Sequence, residues 1–120
     1  MTVKSHRDLL VWQKAMQLAT EVYRLAKLMP KAEEYRLTSQ MLRAAASVPA
    51  NVAEGNCRGT RKDYAHFVSI ARGSLAETET FLLLATSVGL LQGKETELAA
   101  ALCDEIGRML NSLHSRLRDP

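Results

Sequence analysis

Two cysteines and an aromatic content of 5 % already remove several classes of protein. Cys57 and Cys103 lie far apart and form no short paired spacing, so neither a disulfide framework nor a zinc module is expected. Both are read as free thiols in a reducing cytosol. With so few aromatics, no stacking platform is recognisable, and no nucleic-acid motif supports base-specific readout. Long apolar runs are missing as well. The longest stretch without a formal charge, Thr80 to Gly93, is shorter than the roughly 18 residues of a membrane span. At the N-terminus Lys4, Arg7, Asp8 and Lys14 leave no continuous apolar core for a secretory signal. A soluble cytoplasmic protein that keeps its start and does not enter a membrane is expected. Charge of one sign is also lacking: 16 basic residues against 13 acidic ones give +3, a mixed surface that does not by itself establish a nucleic-acid partner. His66 and His114 form no HExxH spacing, and no serine elbow or phosphate loop is present. Glu54 and Glu77 are read as structural partners of arginines rather than a catalytic carboxylate pair. No catalytic residue, cofactor or metal ligand is assigned, and the protein is read as non-enzymatic.

What the chain has is helical periodicity. No segment alternates with a period of two for long enough to be a strand. At 120 residues there is room for one core, so a single all-α domain over 1–120 is expected. Helix one starts near Ser5, where Ser5 and Asp8 stand at the spacing of a capping box, and ends before Pro30. Its seam of Val11, Ala15, Leu18, Val22, Leu25 and Met29 alternates four and three, with Trp12 as a core anchor. Helix two runs from Ala32 or Glu33 to about Gly55 and is interrupted by Pro49, where a kink is expected. The rival reading has Asn51 capping a new short helix, with Glu54 three residues on. Helix three follows the loop Gly55 to Gly59, capped by Thr60 and Asp63, and extends to Val88 with Gly89 as its C-terminal cap. Its core stripe is Tyr64, Ala71, Leu75, Thr78 and Leu82. Helix four presents Leu98, Leu102, Ile106, Met109, Leu113 and Leu117 and closes a four-helix bundle.

Two lines of polar residues stand apart from this core. At about 100° per residue, Arg43, Ser47, Asn51, Glu54 and Arg58 fall within an arc of roughly 80°, opposite Met41, Ala45, Val48 and Val52. On helix three, His66, Ser69, Gly73, Glu77 and Thr80 make a second narrow stripe. Gly73 costs about 1 kcal/mol relative to alanine inside a helix, which close approach of another backbone would offset. Arg58, Arg61 and Lys62, beside Gly55 and Gly59, form the best local signal for phosphate, since backbone donors and basic side chains can hold it together.

The segments LLVWQKAMQLATEVY, RAAASVPANVAEGNCRG and DYAHFVSIARGSLAETE together resemble the four-helix bundle proteins encoded in intervening sequences of bacterial large-subunit rRNA genes. The matching positions include Trp12, Gln13, Arg43, Ser47, Asn51, Glu54, Gly55, Arg58, Ala71, Gly73, Ser74 and Glu77, and the resemblance covers nearly the whole chain. It implies an antiparallel up-and-down bundle and a homo-oligomeric ring of five. It also implies a likeness to the accessory protein of diversity-generating retroelements, which binds nucleic acid and a reverse transcriptase. A family name that records gene location transfers fold and assembly more securely than activity.

Two readings of the stripes stand side by side. Either Arg43, Asn51, Glu54 and Arg58 pair with one another and with residues such as Glu77 inside the chain, or Arg43, Ser47, Asn51 and Glu54 meet His66, Ser69, Gly73 and Glu77 of a neighbouring subunit. A closed ring needs two different faces on each protomer, which two stripes provide. The combined expectation is a ring-like scaffold that contacts RNA or DNA electrostatically through Arg58, Arg61 and Lys62. The alternative is a protein-interaction adaptor without a direct nucleic-acid role.

Overall fold

A computed structural model describes residues 5–118. Among them are four long helices: α1 (Leu10–Ala26), α2 (Ser39–Cys57), α3 (Arg61–Ser87) and α4 (Glu97–Arg118), with no strand. Short links force each helix to run back along its predecessor, and α4 returns to α1, so the four close a cycle around one core. The product is an up-and-down bundle 47 × 24 × 22 Å in extent. No described helix is long and apolar enough to cross a membrane.

The seam expected of helix one is buried at every position, from Val11 to Leu25 within α1 and at Met29 in the turn that follows it. Its beginning differs from the expectation. Ser5 and Asp8 do form a reciprocal capping box, but it caps a single 3-10 turn, His6–Asp8. Leu9 then adopts an extended conformation and α1 starts at Leu10. The Gln13 side chain donates to the Arg7 carbonyl at 2.8 Å, supplying a partner that a continuous helix would have provided.

Met41, Ala45, Val48 and Val52 of α2 are completely buried. The helix stays unbroken through Pro49. Asn51 does not cap a second helix. Its amide donates backwards, to the Ser47 carbonyl and hydroxyl, both at 2.8 Å. The main irregularity falls earlier. Helix two is expected from Ala32 or Glu33, but residues 31–38 form a 3-10 turn (Lys31–Glu33) and a π turn (Glu34–Thr38). Arg36 there has φ −118° and ψ −110°, outside helical values. The wider π turn shifts the side-chain register, and Leu37 and Thr38 enter the interior ahead of Met41.

α2 extends two residues past Gly55, which is therefore inside the helix and buried. A Cβ there would lie 2.9 Å from the Cβ of Phe67 and 3.2 Å from the Tyr64 carbonyl oxygen. The two helices meet at Gly55 because it has no side chain. Thr60 caps α3 by accepting from the Asp63 N–H at 3.1 Å, and Gly89 ends it with φ +81°, both as expected. The stripe of α4 holds except at Leu98, which is 57 % exposed while Ala99 is buried. A 3-10 turn, Gly93–Thr96, delays the start of α4 and leaves Leu98 facing outwards.

A basic end and two polar stripes

Antiparallel topology brings the N-termini of α1 and α3 and the C-termini of α2 and α4 to one end of the bundle. Arg58, Arg116 and Arg118 sit at helix C-termini and Asp63 in the first turn of α3, where the helix dipoles favour those signs. Over residues 5–14, 54–66 and 111–118, with Glu105 counted because it pairs with Lys14 at 3.3 Å, seven basic residues (Arg7, Lys14, Arg58, Arg61, Lys62, Arg116, Arg118) face four acidic ones (Asp8, Glu54, Asp63, Glu105), which leaves +3. At the opposite end, over 21–36 and 77–97, five basic residues face seven glutamates, which leaves −2. The modest net charge of the chain conceals this polarity.

Of the three expected phosphate-binding residues, two are held by the protein itself. Arg58 pairs with Glu54 at 3.0 Å and lies 4.8 Å over the ring of Phe67. The Arg61 guanidinium donates to the Arg116 carbonyl, tying the start of α3 to the end of α4. Lys62 is exposed. Ten residues beyond Lys62 on α3, Arg72 donates to His114 Nδ1 at 3.3 Å. Burial, followed by the charges of Arg72 and Arg118, holds the His114 imidazole below its ordinary pKa, so the neutral ring that accepts this bond is the favoured form. Sequence reasoning singled out neither Arg116 and Arg118 nor Arg7. Their contribution depends on which helix ends coincide, which requires the topology.

The α2 stripe is partly internal. Ser47 and Ser74 share a hydroxyl hydrogen bond of 2.8 Å between α2 and α3, and Asn51 completes the cluster from the same helix. Ser74, buried and placed among the core positions of α3, was absent from both expected stripes. Glu54 and Arg58 pair at the exposed end. Arg43 and Glu77 line one small groove of about 180 Å³ together with Ser47, Ser74 and Phe81. The distance between their charges exceeds an ion pair, and both are exposed.

The α3 stripe lies on the surface throughout: His66, Ser69, Gly73, Glu77 and Thr80 are all exposed. It straddles two grooves. Glu77 belongs to the α2–α3 groove, whereas Ser69 and Gly73 border an open cleft of about 510 Å³ between α3 and α4. A Cβ on Gly73 would meet nothing within 4 Å. The backbone approach expected at this glycine does not come from within the chain.

Cys57 is exposed and Cys103 buried, and both are free. Burial, with a smaller contribution from Glu79, pushes the Cys103 thiol up to about 12. An alkylating reagent at pH 8 is expected to modify Cys57 alone in the folded protein, and Cys103 only after denaturation, as peptide mass mapping would report. Fast native labelling of Cys103 would show that the α3–α4 seam opens readily.

A four-helix bundle polarised in charge, with no group of three or more metal-ligating residues among those described, defines a class of small helical protein rather than an activity. The family model for the 23S rRNA-intervening sequence protein matches residues 7–112, and the chain belongs to that family. A solved structure from Bacteroides thetaiotaomicron, a protein with unknown function from the S23 ribosomal protein family, has the same fold. It superposes with a TM-score of 0.81 at 25 % identity, covering 88 % of this chain and 98 % of that one. No match was found among curated proteins.

Proposed function

We propose that the protein is a non-catalytic cytoplasmic scaffold that assembles into a ring-like homo-oligomer, a pentamer on the family resemblance, and holds RNA or DNA by its phosphates. The observation that carries this reading is the concentration of +3 at one end of the bundle against −2 at the other. Cyclic symmetry sets equivalent ends on the same rim. Five copies would therefore present about +15 on one surface, enough to attract polyanions by counterion release without reading sequence.

Gly73 supports the assembly half of the reading. Its helix-propensity cost of about 1 kcal/mol is offset by nothing inside the protomer, since the space beside it is empty. A neighbouring subunit packed on that face supplies the missing compensation. Gly73→Ala is accordingly expected to shift the mass distribution in sedimentation velocity towards smaller species. If the variant instead keeps the same mass and melts higher, as an exposed helix position would, the α3 stripe is not the contact.

The function itself is tested by native mass spectrometry of nuclease-treated protein with a structured RNA and with duplex DNA. The expected result is a ring that carries nucleic acid at low salt and releases it, still assembled, at high salt. A ring that never takes up nucleic acid but retains a specific protein would favour the adaptor reading.

A further inference from the structure

The side of the bundle between α1 and α2 is not filled. Trp12, Met16 and Tyr23 form one wall of an open groove of about 610 Å³, and Ala46, Ala50 and Ala53 form the other. The alanine wall is too short to meet its opposite, so apolar surface stays accessible: Met16 is 41 % and Tyr23 55 % exposed. Trp12, expected as a core anchor, packs only partly on the core. His6 stands at the mouth, its ring 5.0 Å from that of Trp12 in an edge-on arrangement.

Two further features narrow the occupant. No carboxylate lines the groove, and it opens at the basic end: Trp12 is in the first turn of α1, and Ala53 lies little more than a turn before Arg58. A ligand seated here presents flat, uncharged surface to the groove and negative charge to the end of the bundle. We infer that the groove takes unpaired nucleobases of a single strand whose phosphates lie on the basic end. Aromatic side chains stack any base, and a positive surface follows the backbone, which is the usual combination in single-strand binding. Trp12 and Tyr23 are three helical turns apart, about 16 Å, so the groove spans more than one base. Its polar groups are few. The Thr20 hydroxyl already donates to the Met16 carbonyl at 2.8 Å, which leaves little for telling one base from another. A duplex keeps its bases stacked inside and cannot use the groove.

This inference rests on the proposed phosphate binding, but the two fail separately. Trp12 is the sole tryptophan, so its emission reports occupancy directly. At low salt the protein would be titrated with a mixed-sequence single strand about 15 nucleotides long, with its abasic counterpart of equal charge, and with the corresponding duplex. The expected result is quenching of Trp12 by the base-bearing strand alone, with binding about tenfold tighter than to the abasic strand. Tyr23→Ser, at an exposed position that leaves the core intact, should lower affinity for the base-bearing strand several-fold and leave the abasic strand unaffected. Equal binding of the two strands with unchanged emission would overturn the groove assignment while leaving phosphate binding in place. Binding of neither would overturn both. Emission that shifts with protein concentration in the absence of nucleic acid would assign the groove to a second copy of the chain and reject the inference.

Discussion

Alanine at Arg58, Arg61 and Lys62 together is expected to weaken binding of RNA or DNA by about 10²-fold near 0.15 M salt. Each phosphate contact contributes about 0.9 to the slope of log affinity against log salt, so losing three removes about 2.7 from it for duplex DNA. The two effects are linked and have to appear together. Arg58 and Arg61 also have structural partners, Glu54 with Phe67 and the Arg116 carbonyl. These contacts are on the surface, where an ion pair contributes about 0.2–1 kcal/mol. A melting curve close to that of the unaltered protein would therefore accompany the lost affinity. Unchanged affinity and slope would remove these residues from the interface and leave the rim to Arg7, Arg116 and Arg118.

The second large effect is on stability. Gly55→Ala should destabilise the bundle by about 2 kcal/mol, because overpacking of a well-packed contact costs 1–3 kcal/mol and outweighs the gain in helix propensity. What the methyl group meets is the Phe67 Cβ and the Tyr64 carbonyl, neither of which can swing aside, so α2 and α3 would have to separate. A fall in melting temperature of roughly 8 °C is expected. The same substitution at Gly73 has no clash within the protomer, which makes the pair informative. If Gly55→Ala melts as high as the unaltered protein, α2 and α3 cross farther apart than they do in this structure.

Legibility in the sequence followed the range of the interaction. The α1 seam and the α2 core face could be read because a bundle imposes a 3.6-residue period on every turn that faces the centre. Thr60 and Gly89 could be read because a cap acts within three or four residues. The start of α2 could not. Lys31–Thr38 is a plausible helical opening taken alone, and nothing local in it marks the π turn that carries Leu37 and Thr38 into the interior. Gly55 looked like a helix end for the same reason, since its role depends on Phe67 and Tyr64 arriving from another helix.

For the candidate site, spacing found the stripes but not their partners. Ser47 and Asn51 share a face and bond to each other, yet the group that Ser47 meets across the helices is Ser74, 27 residues away on α3. Arg58, Arg61 and Lys62 lie within one five-residue stretch and are visible in the sequence. Arg116 and Arg118 join them only through topology. The aromatic groove was invisible for a related reason. Trp12 and Tyr23 fall on the edge of an ordinary amphipathic helix, and the gap beside them exists because α2 offers alanines opposite.

Phosphate binding through an assembled basic rim is the proposal on which the rest depends. Its most direct test is fluorescence anisotropy of the purified oligomer with labelled RNA and duplex DNA across a salt series. Saturable binding is expected, with a log affinity that falls linearly with log salt. The slope for duplex DNA should be steeper than about 2.7, which is 0.9 for each of the three phosphates that the +3 of a single protomer would neutralise. A shallow or flat dependence, or no binding at low salt, would contradict it.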